Sequence, residues 1–477
     1  LINFKARIIY NMKLLYFKFL SLFLVCTNFI YSQTNNEIAI KNFTKYYNAT
    51  AFKQAYNLLS VDFKKQLSEI DFIAFLEKNI YQNYGECIKY NLISIDKNTY
   101  NYSYIFKDDS LKYTLTLNNK NEIDELSFTP FAQKPKSKRV SYLSDNKLAN
   151  NLDFKIDSIV KPYMQNPNHN SLSIGVLKND SVYYYNYGEV KSNSKILATK
   201  NSIYEIGSIT KTFCGNLLAQ AVIENKINLD DDIRKYLKGN FKNLQFNNQP
   251  ILIKHLANHS SGLPRQPEDL FHQKNFNLKN PYSNYTNEQM LNYLSTITLN
   301  KTPGSENEYS NLGVGLLGYI LEQVYQKTFS ELINEKITIP LKMKNTGVQK
   351  IKPDSILIGY ENGNEVLNWQ FTCLEAAGSI YSTTEDMLKY VKSNLQKNSY
   401  KELEHGITFN VGHKIALTWH FLKRKNDPEL IWHNGATGGF SSFIGLIKEK
   451  NIGFIVLTNS SAETDVLPIS IYNFLKK

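Results

Sequence analysis

The 477-residue chain is too long for one ordinary domain and long enough for a large catalytic unit plus a smaller one. A hydrophobic fraction of 42% and a charged fraction of 21% exclude a disordered chain and a membrane-embedded one. The net charge of +12 comes from Lys interleaved with Glu, and Arg is scarce. Nucleic-acid readers cluster their charge and favour Arg, so the sequence argues against a nucleic-acid partner and for a solvated cationic surface.

Residues 1–11 precede the first Met, and whether they are translated stays open at this level. Met12-Lys13 opens a charged start, Phe19 to Val25 is apolar, and the small residue Ser32 precedes Gln33. This is the pattern of a signal peptide over 12–32, and it predicts export to the periplasm or extracellular space, with envelope association an open option. Lys18 interrupts the apolar run, which is too short to span a bilayer, and no later segment is long and apolar enough to do so. Val25 before Cys26 fits a lipoprotein cleavage site poorly. Beyond the leader, Cys87, Cys214 and Cys373 have no CxxC spacing and imply neither a disulfide framework nor zinc.

Residues 33–131 read as a small α+β domain. Apolar residues at helical spacing run over Ile38 to Phe52, Phe52 to Leu67 and Phe72 to Ile80. Alternating strands follow at Asn101–Phe106, Leu111–Leu117 and Ile123–Phe128, separated by polar turns. Helices followed by an antiparallel sheet resemble the cone-shaped fold of the nuclear transport factor-like superfamily, a likeness of pattern without a diagnostic motif. Residues 132–150, beginning Gln133-Lys-Pro-Lys-Ser-Lys-Arg139, read as a basic, Pro-containing linker.

The second domain, 151–477, opens with an amphipathic helix near Asp153 to Met164 and strands at Ser171–Leu177 and Val182–Tyr187. Helical patterns occupy the middle, at Thr212–Glu224, Asn287–Thr298, Gly313–Tyr325 and Thr384–Leu395. Strands return at Ile415–Leu422, Phe440–Lys448 and Gly453–Thr458, before a helix at Val466–Leu475. Strands at both ends with helices between them imply a sheet assembled from both ends of the domain.

Three segments carry chemistry. In Ile206-Gly-Ser208-Ile-Thr-Lys211, Ser208 stands at a helix start and Lys211 lies three residues on, on the same face. A Ser hydroxyl needs a base to remove its proton, and a helix N-terminus favours the developing charge; alone, the pattern equally suits an N-cap. In Glu308-Tyr309-Ser310-Asn311, a phenol that neighbouring cations make more acidic can shuttle protons, and a side-chain amide can hold a substrate carbonyl. In His433-Asn434-Gly435-Ala436, glycine admits close backbone approach, and the Ala436 N–H can join that of Ser208 as an oxyanion donor. No helix opening with Lys-Ser/Thr follows, so this is not a phosphate loop.

S-x-x-K, then Y-x-N, then a third motif near the end of the chain resembles the serine β-lactamase and penicillin-binding-protein superfamily. Ile227-Asn-Leu-Asp-Asp231, Ile253-Lys-His-Leu-Ala-Asn-His-Ser-Ser-Gly-Leu-Pro264 and Ala377-Gly378 through Ser382-Thr383 narrow this to the class C β-lactamase-related branch. That branch includes D,D-carboxypeptidases, D-aminopeptidases and family VIII esterases. The resemblance covers about Leu152 to Lys477.

It implies a β-lactamase/transpeptidase-like α/β (α+β) fold, with an antiparallel sheet flanked by helices plus a mainly helical subdomain, and acyl transfer without a metal or organic cofactor. Ser208, Lys211 and Tyr309 would be catalytic, Ser208 and Ala436 the oxyanion donors, and Asn311, His433 and Gly435 substrate-binding. Whether Lys211 or Tyr309 is the principal base stays open at this level. The substrates expected are small esters, D-amino-acid peptides or amides, cell-wall peptides, or β-lactams. A true class C-like β-lactamase or D,D-carboxypeptidase is the first alternative, and a non-catalytic penicillin-binding sensor module the second. Classical β-lactamases carry Lys-Thr-Gly in the third motif, and His433 here is a weaker anchor for a carboxylate. His255 and His259 stand at zinc-ligand spacing, but Leu256 replaces the Glu of H-E-x-x-H, and both read as structural. Cys214 reads as core.

Overall fold

The computed structural model describes residues 36–107, 110–130, 138–348, 356–461 and 466–477. The expected leader at 12–32 lies outside these residues. The chain divides into two compact units, 1–134 and 135–477.

In the first unit a helix over 36–48 is followed by short helices at Phe52–Asn57, Val61–Gln66 and Glu69–Ala74. The apolar run from Phe52 to Leu67 is thus two helices, because the Ser60 hydroxyl accepts the Phe63 N–H and starts a new one. Strands β1 (Lys89–Asp96), β2 (Thr99–Ile105), β3 (Ser110–Leu117) and β4 (Ile123–Pro130) form an antiparallel meander. Alternate residues of β3 are buried, and Tyr104, Tyr113 and Leu115 pack on Ile40, Phe43, Phe72 and Leu76 of the helices. β1 has no such alternation: Leu92, Ile93 and Ile95 are all exposed on this edge strand, so periodicity gave no sign of it.

The second unit is built on an eight-stranded antiparallel sheet. Its strands are β5 (Ser171–Lys178), β6 (Ser181–Gly188), β7 (Phe409–Val411), β8 (His413–Ile415), β9 (His420–Leu422), β10 (Leu430–Ala436), β11 (Ser441–Ile447) and β12 (Ile452–Thr458). The spatial order is β7-β8-β9-β10-β11-β12-β5-β6, so the sheet is assembled from both ends of the unit. Leu172, Ile174 and Val176 face one side, against Ile156 and Val160 of helix α1 (Asn151–Met164) and Ile471 of the closing helix Val466–Leu475. The other face of β5 meets helix Thr384–Leu395 so closely at Gly175 that a Cβ there would lie 2.8 Å from Leu388. Residues 138–148 run beside β6: Asp145 accepts from the Asn186 backbone and side chain, and the Arg139 guanidinium donates to the carbonyls of Pro167 and His169.

Helix α2 (Thr210–Ile223) is buried nearly throughout, which accounts for its apolar composition on all sides. Expected as one strand, 415–422 is two, β8 and β9, divided at Thr418, whose φ is +72°. Thr418 is held there by its N–H to Ala257 and its hydroxyl to the Lys211 carbonyl at 3.0 Å. Gly215 of α2 admits this turn, since a Cβ would stand 2.3 Å from the Leu417 carbonyl oxygen. Beneath α2, the fully buried Glu404 accepts from Lys401 at 2.6 Å, Asn216 of α2 at 2.7 Å and the Trp419 indole at 3.0 Å.

Candidate active site

Ser208 occupies a single 3-10 turn, Gly207–Ile209, that leads directly into α2. Lys211 lies one turn on, fully buried. Its Nζ stands 3.0 Å from Ser208 Oγ and donates to the Ala377 carbonyl at 2.6 Å. Burial, reinforced by the Arg265 charge, drives its pKa well below that of a free lysine and favours the neutral amine.

Tyr309 stands just before helix α3 (Asn311–Tyr325), which the Ser310 hydroxyl caps by accepting the Gly313 N–H at 2.8 Å. The Ser208 hydroxyl is near enough to the Tyr309 phenol to favour its ionised form, and Lys211 Nζ lies 4.9 Å from the ring centroid. A phenol made more acidic by neighbouring cations is the sequence expectation. Here burial outweighs both the Ser208 hydroxyl and the Arg265 charge, and the pKa is raised. Asn311, mostly buried, donates to the Tyr282 hydroxyl at 3.0 Å, and its Oδ1 has no protein partner. Tyr282 stacks on Phe371 at 4.6 Å and also accepts from Gln266, forming one wall.

The third motif lies on strand β10. Gly435 and Gly207 are where it meets the nucleophile turn. A Cβ on Gly435 would lie 2.1 Å from the Ile206 carbonyl oxygen and 2.9 Å from the Ser208 nitrogen, so only glycine fits. A Cβ on Gly207, whose φ is +48°, would lie 2.7 Å from the Ala436 nitrogen. The Ser208 and Ala436 backbones are therefore neighbours, as two oxyanion donors must be.

His433 is fully buried, its Nδ1 bonded to the Asn434 carbonyl and its Nε2 without a partner. Its ring lies 6.3 Å from Tyr309 and 5.1 Å from His420, which β9 contributes. His259 completes the group, 4.4 Å from the Tyr309 ring, with its Nδ1 accepting the Ser310 N–H. Sequence reasoning passed over His420 and treated His259 as structural; neither position has a spacing that ties it to the motifs. Among the described residues no group of His, Cys, Asp or Glu is placed to hold a metal ion.

Burial pushes all three imidazoles down, His420 to about 4 and the other two well below the usual histidine range. His405, edge-on to Trp419 at 5.3 Å with neither ring nitrogen paired, is shifted the same way by burial. A histidine whose folded pKa is depressed costs no stability above its unfolded value near 6.5. Below that pH the unfolded chain takes up the proton first and the fold weakens, by about 1–3 kcal/mol per histidine at pH 4.5. The urea midpoint should therefore fall between pH 6.5 and 4.5, and His405→Phe should flatten the fall; an unchanged slope in that variant would contradict the assignment.

A family model described as Beta-lactamase matches residues 156–472. The D-alanyl-D-alanine-carboxypeptidase/endopeptidase AmpH of Escherichia coli (strain K12) is 29% identical over 313 residues, covering 61% of this chain and 79% of that protein. Protein flp of Staphylococcus aureus (strain MW2) is 29% identical over 335 residues, 66% of this chain and 65% of its own length. Among solved structures, a β-lactamase/D-alanine carboxypeptidase from Yersinia pestis is 25% identical and superimposes with a TM-score of 0.59 over 67% of this chain and 97% of that one. A class C β-lactamase at 23% identity shares the fold, with the same TM-score over 68% of this chain and 97% of its own. With two thirds of its length inside the family match, and the expected α/β architecture present, the chain belongs to the β-lactamase family of serine hydrolases, in its class C-related branch.

Proposed function

We propose that this enzyme hydrolyses small esters, D-amino-acid peptides or amides, or β-lactams through an acyl-enzyme on Ser208. The observation that carries the reading is the convergence of Lys211 and Tyr309 on one serine hydroxyl, with the lysine driven towards its neutral form. Ser208 Oγ bonds to the substrate carbonyl carbon while its proton passes to the Lys211 amine. The Ser208 and Ala436 N–H groups hold the oxyanion. As the carbon–leaving-group bond breaks, the Tyr309 phenol delivers a proton to the departing atom and recovers one from Lys211. Water then repeats the attack and releases the acid. The raised phenol pKa suits Tyr309 to this donor role and leaves Lys211 as the first proton acceptor. Asn311 holds the acyl portion, and its unpaired Oδ1 is suited to a substrate N–H. His433 and Gly435 flank the leaving portion on β10.

A neutral, buried His433 gives the leaving portion no cation. Losing one charge-assisted hydrogen bond costs about 1.5–3 kcal/mol, or roughly 10–100-fold in affinity. A substrate panel on the purified chain should show turnover of short-chain esters or D-amino-acid amides and slow or no turnover of cephalosporins. Efficient cephalosporin turnover with esters untouched would restore the β-lactamase assignment. Export follows from the leader, and the mature protein recovered from the producing cell should begin at or near Gln33. An intact Met12 terminus in the cytosol would refute it. Among the described residues no helix is long and apolar enough to cross a membrane.

A further inference from the structure

One charged group at the site enters the chemistry above only through its field on Lys211 and Tyr309. Arg265 follows the Gly262–Pro264 stretch and is exposed, with its guanidinium carbon 5.0 Å from the Tyr309 ring centroid. Its backbone is fixed to the start of α3. The Arg265 carbonyl accepts the N–H groups of Asn311 and Leu312 at 2.8 and 3.2 Å, and the Ser310 hydroxyl donates to the Pro264 carbonyl at 2.7 Å. The next residue, Gln266, donates to the same Tyr282 hydroxyl that Asn311 uses. Arg265 is thus part of the Asn311 wall. Among the described residues no carboxylate lies within ion-pair distance of it, and no protein group accepts a hydrogen bond from its guanidinium. The other basic side chains around Tyr309, namely Lys211, His259, His420 and His433, are all shifted towards neutrality by burial. An arginine in this position keeps a permanent charge and presents a planar fork of donors matched to a carboxylate.

We propose that Arg265 is a specificity-determining residue that recognises a carboxylate on the acyl portion of the substrate, so that the preferred substrates are half-esters or amides of acidic acyl groups. The proposal rests on the acyl-enzyme reading and goes beyond it by naming the substrate class. It also separates two walls that the third motif alone would merge: an uncharged one at the leaving portion and a cationic one at the acyl portion.

The test compares kcat/KM of the full chain for mono-4-nitrophenyl adipate and for the same ester with its free carboxylate converted to a carboxamide. The native protein should prefer the acid by roughly 10–100-fold, the range expected for one charge-assisted pair, through KM more than kcat. Arg265→Gln should bring the acid-to-amide ratio to within about threefold of unity, and Arg265→Lys should keep part of it. The ratio should hold from pH 6 to 9, because a guanidinium does not titrate there. A native ratio near unity with the carboxamide still hydrolysed overturns the role of Arg265 and leaves the acyl-enzyme reading standing. So does a ratio that survives Arg265→Gln, or one that fades with rising pH as an imidazolium would make it. If neither ester is hydrolysed and Ser208 takes no covalent serine probe, the acyl-enzyme reading itself fails, and this proposal with it.

Discussion

Ser208→Ala should abolish labelling of the protein by a fluorophosphonate or a labelled penicillin, and Lys211→Ala should slow acylation by about 10²–10⁴-fold. The serine hydroxyl is the atom on which Lys211 and Tyr309 converge, so removing it leaves no nucleophile within reach of either. Removing the lysine leaves the hydroxyl in place beside a phenol whose raised pKa makes it a poor base at neutral pH. The loss should therefore appear in kcat more than in KM. Equal labelling of native protein and Ser208→Ala would end the proposed mechanism. A Lys211→Ala variant with full activity would transfer the base to Tyr309. Cys214, fully buried with its thiol pKa pushed up by burial, cannot substitute as nucleophile.

Glu404→Leu should destabilise the second unit by about 3–5 kcal/mol. The carboxylate is fully buried and accepts from three donors, so its loss strands the Lys401 ammonium in the interior and leaves the Asn216 amide and the Trp419 indole unsatisfied. Because Asn216 lies on α2, five residues past Lys211, the same change should also loosen the helix that carries the catalytic pair. The double variant Lys401→Met/Glu404→Leu removes the uncompensated charge and should recover most of the loss, since a buried ion pair replaced whole by apolar side chains is often close to neutral. Urea midpoints of the three proteins decide this; a double variant no more stable than Glu404→Leu would show that the charge is not the cause.

How much of this was legible in the sequence depended on how local each signal is. Ser208 and Lys211 share one turn of one helix, and Tyr309 and Asn311 share one helix start, so each pair is written as a contiguous motif. Gly435 and Ala436 were legible for a similar reason, because a glycine in a strand marks the place where a second backbone comes close. His259 and Arg265 reach the Tyr309 ring from a distant stretch of the chain, and His420 joins them through His259 and His433, by tertiary contacts that no spacing encodes. The division of 415–422 was hidden because the residue that turns the chain is Thr418, held at positive φ by partners in α2 and at Ala257, where a glycine or asparagine would have marked the turn. The direction of the Tyr309 shift was missed because composition shows which cations are available and not how deeply the phenol is buried.

The pairing of β5 with β12 sets Leu172 opposite Thr458 and Ile174 opposite Val456, joining segments at the two ends of the second unit. A chain made from its N-terminus therefore holds Ser208, Lys211 and Tyr309 long before the sheet can close. Bringing such distant segments together forfeits loop-closure entropy before any contact repays it, so this step should be slow. The strand that presents Gly435 and Ala436 to the nucleophile turn sits in that late-closing sheet, between β9 and β11. A chain stopped just before Ile452 would contain every candidate site residue and still lack the framework that aligns them. The order of synthesis thus puts the serine into the chain well before the strand pairing that fixes its oxyanion partner.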